Sequence, residues 1–251
     1  MAKRPVFIPD PQGPPFVKEV VVEFVWYPGF AKSRAQKSIE SLHKAAAEKL
    51  KISPILEVSL KSADPLGVSL SAFHLILKAK GRSMPVECAF QGSKVFERGG
   101  PYTDLYSKSG REAKKDGRLQ NSGKLVAFDF MGEKFPTDPK TLFYDWLYIT
   151  ALWQNAEFAE KILAFRAFSD IAFNPKRSIN CQARAAALFV SLRQSGRLER
   201  AIREKDYYIR LVIGEQSRHA RVKEAWQQLA LLSSNEEGQS EDEASNHDLG
   251  Q

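Results

Sequence analysis

Glu87, Gln91 and Lys94 set a carboxyl group, an amide and an amine at the spacing i, i+4, i+7. On a helix this spacing puts all three on one side. Residues 86–96 read as that helix, with Val86, Ala89, Phe90 and Phe96 in a different sector, free to pack into a core. Two turns separate the carboxyl group from the amine by about 10 Å along the axis, so their side chains can converge on a ligand lying between them. The plain alternative is a polar helix face in water.

Two further segments carry chemistry. Ser109-Gly-Arg-Glu-Ala-Lys-Lys-Asp-Gly-Arg118 holds four cations within eight residues, flanked by glycines. Arg forks and close backbone N–H groups suit a phosphate, and a charged surface helix is the competing reading. In Phe173-Asn-Pro-Lys-Arg-Ser-Ile-Asn-Cys-Gln-Ala-Arg184, a turn begun by Asn174-Pro175 runs into a helix start whose free N–H groups can bind an anion. Asn180 or Gln182 serves equally well there as an ordinary cap. The four histidines, His43, His74, His219 and His247, have no paired spacing, and Cys88 and Cys181 stand alone, so no metal site is expected. Neither a GxSxG elbow nor a GxGxxG or Walker loop occurs.

The elements that must position these residues follow from pattern. Residues 1–16 contain five prolines and are expected to form an extended arm. Residues 18–26 alternate, with Val20, Val22, Phe24 and Trp26 on one side, which is a strand signal. An amphipathic helix is expected over 33–50, strands over 55–60, 70–79 and 124–130, and a short helix over 111–115. Helices are expected over 140–154, 156–167 and 182–194, and one or two charged helices over 197–232. The sum is an α+β, mostly helical domain without βαβ alternation.

The 251 residues carry a net charge of +7, with 43% hydrophobic and 27% charged residues. These values exclude collagen-like, disulfide-stapled and wholly disordered chains. No apolar run is long enough to span a membrane, and residues 1–5 lack a secretory signal, so a reducing, cytoplasmic setting is expected. The charge is uneven. Residues 233–251 hold six acids and no Lys or Arg, which leaves 24 acids against 37 bases, or +13, for the remainder. Such a body attracts phosphates, nucleic acid among them. The acidic tail is expected to be disordered.

In order, these segments resemble the NADAR, or YbiA-like, family. The resemblance rests on Ser71-Ala-Phe73, Glu87-Cys-Ala-Phe-Gln-Gly-Ser-Lys-Val-Phe96 and Arg111-Glu-Ala-Lys-Lys-Asp-Gly-Arg118. Phe143-Tyr-Asp-Trp-Leu-Tyr148 and Ile179-Asn-Cys-Gln-Ala-Arg184 continue it. The order and spacing over residues 66–195 carry it, and the wording is closest to the NADAR antitoxins associated with DarT toxins. Three departures stand out. Ala72 replaces an Asn common in YbiA-like proteins, Phe135 replaces a Trp, and a later Trp-Gly element has no counterpart after Asp170. They argue against a substrate from riboflavin synthesis more than against the fold or the lysine chemistry.

The resemblance implies one NADAR domain over 17–195, a helical extension over 196–232 and the tail over 233–251. It implies an N-glycosidase that removes ADP-ribose from guanine in DNA and so acts as antitoxin to a DarT-type transferase, with no cofactor and no metal. Lys94 matches the family lysine that forms a Schiff base with the opened sugar, and Glu87 is the natural proton donor or acceptor. Arg111, Lys114 and Arg118 are then expected on the diphosphate. Phe73 is expected against a ring or ribose, with Gln91, Asn180 and Gln182 on ribose hydroxyls and Ser71 and Asp170 nearby. Two other readings stay open: a non-catalytic antitoxin or nucleic-acid-binding module, and a YbiA-like N-glycosidase acting on a ribosylated metabolite of the riboflavin pathway.

Overall fold

The computed structural model describes residues 1–174 and 179–213. The first two strands, β1 (Ala2–Pro9) and β2 (Val17–Phe24), form a full antiparallel ladder from Ala2 opposite Phe24 to Pro9 opposite Val17. Residues 1–16 are therefore not a free arm. Their prolines exclude helix but not strand. The next strand over, which spans only three residues, meets β1 at Val6 and Phe7 alone, so Pro5 and Pro9 escape that inner ladder.

Helix α1 (Lys32–Leu50) follows, then β3 (Ile55–Glu57) and the short α2 (Pro65–Ser69), capped by the Asp64 carboxylate on Leu66 N. The strand expected over 70–79 is confined to β4 (Ile76–Ala79), paired in a hairpin with β5 (Arg82–Pro85). Helix α3 (Val86–Gly92) leads into β6 (Lys94–Phe96), and α4 (Gly110–Lys115) and α5 (Arg118–Asn121) come next. Strand β6 pairs with β7 (Leu125–Phe130), which pairs with β8 (Glu133–Phe135). Helices α6 (Leu142–Trp153) and α7 (Ala156–Lys161), strand β9 (Ala167–Ser169), α8 (Gln182–Gln194), α9 (Leu198–Arg203) and α10 (Lys205–Ile213) complete the order.

The main sheet runs β2-β1-β9-β3, with β9 antiparallel to β1 and parallel to β3. Alternation along β1 divides the molecule into layers. Val6 joins Val22, Phe24 and Ala167 beneath Ile39, Leu42 and Ala46 of α1. Phe7 points the other way, into the large core with Leu56, Phe168 and the α6 and α8 residues Leu147, Ala186 and Phe189. The three consecutive alanines Ala185, Ala186 and Ala187 are wholly buried, so α8 presents a low profile to its neighbours. Helices α9 and α10 are part of this core rather than an appendage. Tyr208 is fully buried and its hydroxyl donates to Leu142 O at 3.1 Å. The result is a single α+β domain. The expected continuation of helix to 232 and the acidic tail over 233–251 lie outside the described residues.

Candidate active site

The helix expected over 86–96 stops at Gly92, and Lys94 stands at the start of β6 opposite Phe128. The chain is closely packed at this point. A Cβ on Gly92 would lie 2.5 Å from the Tyr106 ring, and the Ser93 hydroxyl donates back to Ala89 O at 2.7 Å. The three polar groups converge nonetheless. Lys94 Nζ donates to Gln91 Oε1 at 2.7 Å, and Gln91 Nε2 donates to Glu87 Oε1 at 2.9 Å. An amide thus links amine to carboxylate, with its oxygen towards the donor and its nitrogen towards the acceptor.

This chain lies on the wall of a cavity of about 670 Å³, a usual volume for a ligand site. Phe90, Phe128 and Tyr144 form its apolar side. The Phe90 ring meets Tyr144 edge-on at 5.2 Å, and Lys94 Nζ sits 4.7 Å from the Phe90 centroid. Burial lowers the Lys94 pKa to about 8, against the opposing pull of Glu87. An amine in this state is partly neutral near physiological pH and is available as a nucleophile or base.

Lys114 reaches the site from α4. A capping box fixes the start of that helix: Ser109 Oγ accepts from Glu112 N at 3.3 Å, and Glu112 Oε2 accepts from Ser109 N at 2.9 Å. Gly110 lets the helix approach, since a Cβ there would stand 2.8 Å from the Phe73 ring and 3.5 Å from Glu87 Cβ. Lys114 Nζ then lies 3.9 Å from Glu87 Oε1 and 5.5 Å from the Phe73 centroid.

On another wall, Gln182 at the start of α8 braces the loop around Ser71. Its Nε2 donates to Val58 O at 2.6 Å, and its Oε1 accepts from Ala72 N at 2.8 Å and Ser71 Oγ at 3.4 Å. Asp170 is buried, and its Oδ1 accepts from Ala172 N at 3.0 Å and Phe173 N at 3.2 Å. Behind it Glu57 accepts from Ser59 Oγ at 2.6 Å, Ile171 N at 2.9 Å and Ser169 Oγ. Burial and mutual repulsion raise the Glu57 pKa, and burial raises that of Asp170. His43 Nε2 lies 2.8 Å from Ser169 Oγ. Because the Ser169 hydroxyl donates to Glu57, the imidazole Nε2 donates to Ser169. Burial lowers the His43 pKa to about 4, which keeps the ring neutral.

The structure brings Phe73, Glu87, Gln91, Lys94, Lys114, Asp170, Asn180 and Gln182 to one cavity, with Ser71 immediately behind Gln182. Arg111 and Arg118 do not belong to it. Arg111 is exposed on α4 away from the cavity lining. Arg118 is committed elsewhere, with Nη2 at 2.7 Å from Asp104 and 2.9 Å from Asp116 and its guanidinium 4.5 Å from the Tyr102 centroid. Counting cations along the chain does not reveal which ones local carboxylates already engage. Lys140 lines the cavity in their place, beside Thr137 and Asp138. Sequence reading missed it, as it missed Phe90 and Tyr144, both set among apolar residues of buried helices. Residues 175–178 of the loop ahead of α8 lie outside the described residues.

A family model described as DarT1-associated NADAR antitoxin matches residues 2–222. The chain belongs to that family. The match includes β1 at one end and reaches past α10 at the other, in keeping with the way both pack into this NADAR domain. No curated protein matches the chain. Membership of the NADAR antitoxins supports an antitoxin role linked to DarT1. Among the described residues, no helix is long and apolar enough to cross a membrane, and no group of three or more His, Cys, Asp and Glu residues is placed to hold a metal ion.

Proposed function

We propose that the protein is an N-glycosidase that removes ADP-ribose from guanine bases in DNA and so reverses the action of a DarT-type transferase. The observation that carries this reading is the Lys94–Gln91–Glu87 hydrogen-bond chain on the wall of the cavity. A glycosidic C–N bond needs a nucleophile for the anomeric carbon and a proton for the departing nitrogen. In the first step the bond between the anomeric carbon and the ribose ring oxygen breaks as that oxygen takes a proton from Glu87, and the neutral Lys94 amine adds to the anomeric carbon. The guanine nitrogen then leaves with its electron pair and a proton, which generates a protonated Schiff base between Lys94 and the sugar. In the second step water adds to that carbon, the lysine nitrogen leaves as the amine, and the aldehyde of ADP-ribose recloses. One water is consumed, the guanine is left unmodified in the DNA, and ADP-ribose is released.

Glu87 is the group that gives and recovers these protons. Lys114 Nζ lies 3.9 Å from its Oε1. Gln91 couples carboxylate and amine and fixes the direction of the lone pair. Lys114 and Lys140, on the cavity wall, are the cations for the diphosphate. Phe73 and Phe90 offer flat surfaces to a ring, and Asp170 and Asn180 offer hydrogen bonds to ribose hydroxyls.

The test is incubation with single-stranded DNA bearing ADP-ribosyl-guanine, with borohydride added to reduce the Schiff base. Release of ADP-ribose, and a covalent adduct that Lys94→Ala abolishes, are the expected results. Adduct left intact by the wild-type protein overturns the reading. Equal rescue of toxin-expressing cells by wild type and Lys94→Ala would instead place the antitoxin effect in binding, and turnover of a free ribosylated metabolite alone would place the chemistry away from DNA.

A further inference from the structure

Trp26 continues the alternation of Val20, Val22 and Phe24, so its position in sequence is in register with the core. Strand β2 ends at Phe24, however, and Trp26 emerges with 39% of its surface in solvent, edge-on to the buried Phe24 ring at 6.3 Å. Arg4 of β1 lies beside it, with its guanidinium carbon 5.6 Å from the indole centroid. The same guanidinium donates to Lys3 O at 3.0 Å and to Ile171 O at 3.5 Å. Ile171 separates Asp170 from Ala172, and both of those line the cavity. Arg4, with the exposed indole beside it, therefore adjoins the backbone of a segment whose flanking residues line the cavity.

The loop that follows extends the pattern. Phe30 is fully exposed, and the Arg34 side chain lies against Gly29, where an added Cβ would meet Arg34 Cγ at 3.2 Å. Two solvent-facing aromatic rings and two arginines thus come from β1 and the segment that follows β2, and packing explains the exposed rings poorly. Apolar rings and fixed guanidinium planes together suit unpaired bases and their phosphates, because every base has a face to stack and every linkage a negative charge. A duplex keeps its base faces stacked and offers base edges and backbone instead.

We propose that Arg4 and Trp26, continued by Phe30 and Arg34, form a landing surface for the single-stranded DNA that flanks the modified guanine. The inference rests on the proposed function for its substrate, and it assigns the sequence-independent part of recognition to a place outside the catalytic cavity. Trp26 stacks a neighbouring base, and Arg4 holds a phosphate while its contact with Ile171 O ties that hold to the cavity wall.

The experiment compares two substrates: an oligonucleotide with one ADP-ribosyl-guanine, and the ADP-ribosylated nucleoside alone. Trp26→Ala and Arg4→Gln are each expected to raise KM for the oligonucleotide about tenfold, the loss typical of one base stack, with kcat unchanged. Both constants for the nucleoside stay at wild-type values, and Trp26→Phe restores most of the oligonucleotide KM. Unchanged oligonucleotide KM in both variants overturns the proposal, as does an equal rise on both substrates. Fluorescence anisotropy with unmodified oligo(dT) separates this inference from the functional one. If the wild type cleaves neither substrate, the glycosidase reading fails, and the surface is judged by whether oligo(dT) affinity drops about tenfold in Trp26→Ala.

Discussion

Lys94 Nζ lies 2.7 Å from Gln91 Oε1 although the two residues belong to different elements, one at the start of a strand and the other near the end of the preceding helix. The amide is held at its other end by Glu87, so its oxygen cannot turn away without losing that bond. Replacing it with a carboxylate has a definite sign. In Gln91→Glu a negative charge beside the amine favours the ammonium form and raises the Lys94 pKa. The rise of rate with pH then moves to more alkaline values, and the rate at pH 7 falls by about tenfold for each unit of displacement. A pH–rate profile checks this; a profile that coincides with wild type would remove Gln91 from the site's electrostatics.

For the wild-type protein the same reasoning fixes the profile expected of the proposed reaction. The Lys94 pKa is lowered to about 8 by burial. With the amine as nucleophile, only about a tenth of the protein has a reactive Lys94 at pH 7 and about nine tenths at pH 9. Borohydride-trapped adduct, measured by mass at early times across this range, should rise with pH and level off. Lys94→Arg keeps the charge but remains protonated throughout, and it should give no adduct at any pH.

How far the site was legible depends on which physical signal each residue leaves in the chain. Glu87, Gln91 and Lys94 were legible because their spacing encodes a shared side. The reason given, one continuous helix, is wrong after Gly92, yet the turn into β6 redirects Lys94 without separating it from Gln91. The boundaries of α8 were legible in full from its alanine-rich run, and those of α1 within one residue from its apolar stripe. Strands β6, β8 and β9 are three residues each, too short for any period to show, and their existence depends on partners distant in sequence. The prolines of β1 marked extended backbone correctly but could not show that β2 and β9 would pair with it. Arg118 was misplaced for a different reason: the two carboxylates that engage it come from separate turns.

The cations of the cavity provide a direct contrast. Lys114→Ala and Lys140→Ala should each raise KM for the adduct several-fold, because each removes a charge lining the cavity. Arg118→Ala should leave KM unchanged. Its pairs with Asp104 and Asp116 are exposed, so the loss in thermal stability should also be small. Steady-state kinetics on the three variants decide the matter, and a KM effect for Arg118→Ala equal to that of Lys140→Ala would return the arginine to the binding site.

Glu57 supplies a stability prediction. Its pKa is raised above the usual 4.5 by burial and by Asp170. A carboxyl group that holds its proton more tightly when folded stabilises the fold fully below its unfolded pKa, and that contribution is lost as pH rises through the folded value. Glu57→Gln keeps an acceptor for Ser59 and Ile171 but cannot ionise. Relative to this variant, the wild-type melting temperature should fall as pH rises from about 4.5 through neutrality. His43, with its depressed pKa, acts in the opposite direction and is common to both proteins, so the difference between them isolates the carboxyl. Parallel melting curves would show that Glu57 ionises normally.

The ion pair between Arg184 and Asp145 tests how the helix that carries Gln182 is anchored. Asp145 of α6 is wholly buried, and Arg184 of α8 is its partner. Burial raises the Asp145 pKa and Arg184 opposes that rise, so the carboxylate depends on the arginine to remain charged. Arg184→Met strands it and should cost about 3–5 kcal/mol in urea unfolding. Replacing both partners, Asp145→Leu with Arg184→Met, removes the uncompensated charge and should recover most of that loss, because an apolar pair of similar size fills the same space. If the single variant is instead as stable as wild type, the pair does not hold α6 to α8, and the placement of Gln182 depends on its own hydrogen bonds to Val58 and Ala72.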